Sequence, residues 1–286
     1  MNTNHEKAQR FLDLHRGPNV LVLPNAWDVA SALMLSRLGF PAIATTSAGI
    51  GFTRGYVDGE HIPREETIAV VRMIASIVDI PVTADVEAGY GRDPAVVAET
   101  IRQAIGAGAV GANVEDSTKG DLKDKGRPLF DLDFAVERYR AARAAADSIG
   151  IPFVLNARID CFLCMGKGPE VASETISRGN AYVEAGANCV FVPGVTSPET
   201  IGLLAKEIGA PINVLAAPGI PTIKELRDLG VARLTFGSSL ARAAYSEAVR
   251  VAKEARDHGT FTLATGTITK DDLTQMLYAC GMKTSC

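Results

Sequence analysis

Val82-Thr83-Ala84-Asp85-Val86-Glu87 decides the fold: a run of small and β-branched residues that stops on two carboxylates two positions apart. Gly111-Ala112-Asn113-Val114-Glu115-Asp116, Val154-Leu155-Asn156-Ala157-Arg158-Ile159-Asp160 and Ala42-Ile43-Ala44-Thr45-Thr46-Ser47 follow the same plan, an apolar run ending in polar or charged residues. Short runs of this composition, bounded by Gly or Pro, read as strands covered on both faces, as in parallel sheets. If such strands close into a barrel, their C-terminal ends converge on one mouth, and Asp85, Glu87, Glu115 and Arg158 share a pocket.

Strand-like runs recur near residues 20–24, 41–46, 80–85, 110–114, 152–157, 188–192, 211–215 and 232–236, with helix-like stretches between them. Asp93-Pro94 starts one helix as N-cap and first helical residue, and Glu65-Glu66 sit in the first turn of another. Gly39, Gly108, Gly150, Gly186 and Gly230 each fall between a helix and the next strand, where a left-handed C-terminal cap is wanted. Eight right-handed βα repeats in 286 residues predict a single (β/α)8 TIM-type barrel over residues 1–286. An N-terminal helix is expected within 1–19. The polar stretch 118–131, directly after Glu115-Asp116, reads as an active-site lid. Residues 239–286 form a helical extension longer than one barrel helix needs, part of which would pack on another subunit.

A formal net charge of −4 argues against a general affinity for nucleic acid or anionic membrane, so a small-molecule partner is the default. The opening MNTNHEKAQRFLDLHRG lacks the apolar core of a secretory signal or membrane span, which predicts a cytoplasmic protein. Five cysteines fit reduced thiols better than a disulfide framework. Cys161 and Cys164 have metal or redox spacing, but a second pair of soft ligands is missing.

Three carboxylates in one half-buried mouth repel each other unless a cation neutralises them. Oxygen ligands without His or Cys select a hard ion, Mg2+ or Mn2+. The alternative is that these acids cap helices or pair with Arg158 and Arg92. A chelated Mg2+ stabilises the enolate formed when a bond beside the carbonyl of a 2-oxo acid breaks. Arg158 offers a planar fork for a carboxylate, and Thr46-Ser47-Ala48-Gly49 offers a hydroxyl and backbone N–H groups to an anion. Tyr90 is a candidate oxyanion donor, though a packed Tyr is the commoner case.

Asn25 to Ala32, Ala42 to Gly49, Asp58, Asp85-Val86-Glu87-Ala88-Gly89-Tyr90-Gly91, Val114-Glu115-Asp116 and Asn156-Ala157-Arg158-Ile159-Asp160 together resemble the isocitrate lyase and phosphoenolpyruvate mutase superfamily, over about residues 20–250. The resemblance implies a Mg2+-dependent barrel acting on 2-oxo or 2-hydroxy carboxylates. It also implies a homotetramer, or a dimer, in which the eighth barrel helix is exchanged between subunits. It makes Asp85 the direct metal ligand, with Glu87 and Glu115 acting through metal-bound water. It assigns Thr46, Ser47, Ala48, Gly49, Asp85, Arg158 and Asn213 to substrate, and Asp58 and Arg158 to catalysis.

The lid departs from the superfamily pattern. Where its carbon–carbon lyases carry a Cys-Gly-His segment, this chain reads TKGDLKDKGRPL, and Val192-Pro193-Gly194 stands where those lyases place a Glu. Lys119, Lys123 and Lys125 are on the lid, but a solvated charge run explains them. A lyase acting through a metal-stabilised enolate is the first expectation. Oxaloacetate decarboxylation or phosphonopyruvate P–C chemistry would use the same scaffold, and a non-catalytic 2-oxo acid binder is the reading from another class. A Schiff-base aldolase would need a Lys on a strand, and no expected strand has one.

Overall fold

The computed structural model describes residues 3–118, 126, 128–262 and 266–278. Every strand pairing is parallel. The strands are β1 (Leu21–Leu23), β2 (Asn25–Ala26), β3 (Ile43–Thr45), β4 (Val82–Asp85), β5 (Gly111–Glu115), β6 (Val154–Arg158), β7 (Cys189–Val192), β8 (Ile212–Leu215) and β9 (Arg233–Thr235). The eight expected runs all form strands. The additional one arises because Pro24, which has no N–H to donate, splits the first stave. Its first half pairs with β9 and its second half with β3, so the two ends of the strand order belong to one stave and the sheet closes into a barrel.

The helices that separate the strands start and stop where sequence chemistry asks. Asp28 and Asp93 cap their helices through side-chain bonds to Ser31 and Ala95 N–H groups. The five glycines expected at helix ends all adopt positive φ, between 78° and 103°. The N-terminal helix, α1 (Asn4–Leu14), starts with a capping box between Thr3 and Glu6. It plugs the bottom of the barrel: Ala8 and Phe11 pack on Leu21, Leu23, Ala42, Ala44, Val110 and Val154. Gly111 permits this, since a Cβ there would lie 2.8 Å from the Phe11 ring. A larger core joins the outer faces of the strands to the surrounding helices, through residues such as Val97, Ile101, Tyr139, Leu204 and Leu226.

The helix after β9, Ser239–His258, buries only Ala241 and Glu254 along its length. Lys270–Tyr278 forms a last helix. Among the described residues no helix is long and apolar enough to cross a membrane, and Cys161, Cys164 and Cys189 are free thiols.

Candidate active site

β4 ends on Asp85, whose side chain is buried at the barrel mouth. Its Oδ2 accepts from the Ser47 N–H at 3.0 Å and the Ser47 hydroxyl at 2.9 Å, and its backbone N–H donates to Thr45 Oγ1 at 2.9 Å. Oδ1 is buried without a hydrogen-bond partner. Burial raises the Asp85 pKa, against the opposing pull of Arg158 and the Ser47 N–H. A buried carboxylate oxygen left unpaired is costly, and an unshared anionic oxygen fits a hard cation.

Ser47 opens the short helix Ser47–Thr53, capped by Thr46, whose Oγ1 accepts from the Gly49 N–H at 3.3 Å. Gly49 leaves no room for a side chain: a Cβ would lie 2.6 Å from the Thr46 methyl and 2.8 Å from Trp27 Cβ. The Thr46-Ser47-Ala48-Gly49 turn directs both Ser47 donors at Asp85.

Glu115 and Arg158 are register partners on β5 and β6. Glu115 Oε2 lies 2.7 Å from Arg158 Nη1, and its Oε1 accepts from Ser117 Oγ at 2.7 Å. The other edge of the guanidinium donates to Asp160, from Nε at 2.7 Å and Nη2 at 3.1 Å. Burial disfavours the Arg158 cation, but Glu115 and Asp160 more than offset it and raise its pKa. Asp160 is itself held, its N–H donating to Asp116 Oδ1 at 3.0 Å. Asp116 Oδ2 accepts from Arg178 Nη1 at 3.2 Å and from the Tyr182 hydroxyl at 2.8 Å. Burial, reinforced by the charge of Asp160, pushes the Asp116 carboxyl up to about 6 against the pull of Arg178. A buried relay thus runs from Arg178 and Tyr182 through Asp116 and Asp160 to Arg158.

Glu87 follows β4 in the left-handed region, φ 50°. Its Oε2 accepts the Glu60 N–H at 2.5 Å, and its backbone carbonyl accepts the Glu115 N–H at 2.8 Å. Tyr90 is no oxyanion donor here, because its hydroxyl donates to Thr67 Oγ1 at 2.7 Å. The Asp85–Arg92 segment is clamped from outside by the buried Arg138, which donates to the carbonyls of Ala88, Gly91 and Arg92. Asp58 lies exposed on the loop after Ser47–Thr53, with no ion pair among the described residues. Asn213 is fully buried on β8, accepting from Thr235 Oγ1 at 3.2 Å. It is the register partner of Arg233, within the barrel wall.

The structure therefore joins Asp85, Ser47, Glu115 and Arg158 into one cluster and places Glu87 at its edge. Asp58 stands apart on its loop, and Asn213 lies deeper than a mouth residue. Among the described residues, no three His, Cys, Asp or Glu side chains close into a preformed metal cage. An oxygen donor left unshared at Asp85 Oδ1 fits a hard cation in its donor chemistry. Asp116 and Asp160 were visible as part of strand-end motifs, without a role. Glu60, Arg138, Arg178 and Tyr182 carried no local signal, since each reads as an ordinary loop or helix residue. Lys119, Lys123 and Lys125 lie outside the described residues.

The family described as phosphoenolpyruvate phosphomutase matches residues 11–256. The 2-methylisocitrate lyase of Escherichia coli K12 is 28% identical over 262 residues, covering 90% of this chain and 86% of its own length. A crystal structure from Burkholderia cenocepacia J2315, described as a lyase/mutase, superposes with a TM-score of 0.91 at 37% identity, covering 96% of this chain and 98% of that one. The structure of oxaloacetate acetylhydrolase with its product oxalate superposes with a TM-score of 0.84 at 26% identity, covering 96% and 94%.

Proposed function

The chain belongs to the phosphoenolpyruvate phosphomutase family, and from that premise we propose that it is a Mg2+-dependent carbon–carbon lyase acting on small 2-oxo or 2-hydroxy carboxylates. One observation carries the reading: a buried carboxylate, Asp85, keeps one oxygen without a protein partner in the field of a half-buried guanidinium, Arg158. Its relatives include enzymes named for 2-methylisocitrate and oxaloacetate, both small carboxylates.

Asp85 would hold the cation directly, and Glu87 and Glu115 would face it through water. When bound, the ion supplies positive charge to the carboxylate and carbonyl oxygens of the substrate as the neighbouring bond breaks. The protein's own groups do the placing. Ser47 fixes Asp85 through Oδ2, which leaves Oδ1 as the free acceptor. Arg158, locked between Glu115 and Asp160, presents a fixed charge to the substrate carboxylate and loses little freedom on binding. Asp58, on its exposed loop, is the candidate catalytic acid, and Asn213 would reach the substrate from within the barrel wall.

A second reading, decarboxylation of oxaloacetate at the same site, is favoured by one feature: β7 runs into Pro193-Gly194 and brings no carboxylate. Decarboxylation releases CO2 and asks least of a lid acid. The deciding experiment offers oxaloacetate, 2-methylisocitrate, 2,3-dimethylmalate and phosphonopyruvate to the protein with Mg2+. Carbon–carbon cleavage other than CO2 loss, faster than by Mg2+ alone, supports the lyase, and pyruvate with CO2 from oxaloacetate alone supports the decarboxylase. No turnover above that background leaves a 2-oxo acid binder.

The proposal extends to assembly: a homotetramer in the cytoplasm, with Ser239–His258 exchanged between subunits. Supporting it are the sparse burial of that helix and its exposed Tyr245 and Val249.

A further inference from the structure

Three residues other than glycine take positive φ among the described residues: Glu60, Glu87 and Tyr90, at 61°, 50° and 61°. They belong to two segments that meet in space and are tied in both directions. The Glu60 N–H donates to Glu87 Oε2 at 2.5 Å, and the Tyr90 N–H donates to Glu60 Oε1 at 2.8 Å. Left-handed conformations of non-glycine residues persist only where the surroundings over-determine them, and they gather at functional sites. Here the reciprocal bonds supply that restraint, and Arg138 pins the same segment from its other side.

We propose that Glu60 is a positioning residue: its carboxylate, by capturing the Tyr90 N–H, seats its own N–H on Glu87 and so fixes both the second acid of the Asp85–Glu87 pair and the loop that carries Asp58. The inference rests on the lyase reading for its consequence and on the geometry for its mechanism. Glu60 reaches the site through the bond from its N–H to Glu87 Oε2. Its effect falls on cation affinity and loop order, because Glu87 would face the cation through water.

The test uses the full chain with Mg2+ and oxalate as probes. Wild type, Glu60→Ala, Glu60→Gln, Glu87→Gln and the Glu60→Ala/Glu87→Gln double variant are titrated calorimetrically. Hydrogen exchange is followed across residues 54–62. Removing the support of a metal-facing acid typically weakens metal binding about tenfold or more, which is the loss expected for Glu60→Ala. Glu60→Gln, which keeps an acceptor for the Tyr90 N–H, should stay within about threefold of wild type by the same reasoning. The double variant should bind no more weakly than Glu87→Gln, since the two act through one contact. Exchange at 54–62 should quicken in Glu60→Ala alone of the two position-60 variants. Wild-type affinity in Glu60→Ala, or additive losses in the double variant, would overturn the proposal. If wild type takes up no Mg2+, the lyase reading falls instead; exchange then judges the anchor by itself, and unchanged rates in Glu60→Ala overturn it.

Discussion

Replacing Asp160 with asparagine isolates the part of the site that the relay behind Arg158 controls. In the native chain Asp160 receives two bonds from the guanidinium, at 2.7 and 3.1 Å, while Glu115 holds the third nitrogen at 2.7 Å. Asparagine keeps one acceptor and turns an NH2 toward a guanidinium nitrogen, so one charge-assisted bond is lost and one contact becomes repulsive. Truncating one partner of a buried, hydrogen-bonded charge pair costs about 2–5 kcal/mol. Because Glu115 remains and Arg158 is 23% exposed, and because the substitution also removes a negative charge beside the anion, the loss is bounded by the lower end, about 2 kcal/mol or roughly thirtyfold in affinity. The Asp160 backbone bond to Asp116 does not involve the side chain, so the fold should hold. Calorimetry of oxalate binding with Mg2+ reads the loss, and a melting curve checks the fold. Oxalate bound as tightly by Asp160→Asn as by wild type would refute the claim that the relay orients Arg158.

His15 sets an acid limit on stability. Burial, with Arg233 nearby, depresses its pKa from 6.5 to about 3, although its Nδ1 bonds the Phe11 carbonyl at 2.8 Å. The unfolded chain takes up a proton near pH 6.5 that the native chain refuses. Stability is therefore full above that pH and falls as pH drops toward 3, by about 5 kcal/mol in total. The raised pKa of Asp116 acts in the opposite direction between pH 6 and 4, so the His15 share is read as the difference between wild type and His15→Gln in urea unfolding at pH 7 and pH 4, expected at about 3 kcal/mol. Arg138→Met strands the carbonyls of Ala88, Gly91 and Arg92; a loss of about 3 kcal/mol in urea unfolding is expected, and a loss under about 1 kcal/mol would show that the clamp is not needed. Tyr245→Arg, on the exposed helix Ser239–His258, should convert the proposed tetramer to smaller species in light scattering, and an unchanged mass would rule that helix out as the interface.

The barrel was legible because parallel strands covered on both faces must be continuous apolar runs, and because Gly39, Gly108, Gly150, Gly186 and Gly230 mark where helices stop. The split at Pro24 was a detail of hydrogen bonding that left the count of staves intact. Asp85, Glu115 and Arg158 were legible as a cluster because charges at the tips of buried strands have only the mouth to occupy. Depth along a strand was harder to read: Asn213 sits two residues before the end of β8, and that offset puts it in the wall beside Arg233. The supports were not legible at all. Arg178 and Tyr182 lie four apart on the helix Pro169–Glu184 and look like surface residues until the helix docks with Asp116 beneath them. Glu60 and Tyr90 meet only when the loop after β3 folds over the loop after β4.

The central claim is that Asp85 Oδ1 is the seat of a divalent cation. Calorimetric titration of Mg2+ in the presence of oxalate, into wild type and Asp85→Ala, tests it most directly. Uptake of one Mg2+ per chain by wild type and none by Asp85→Ala is the predicted result, and equal uptake by both proteins would contradict it.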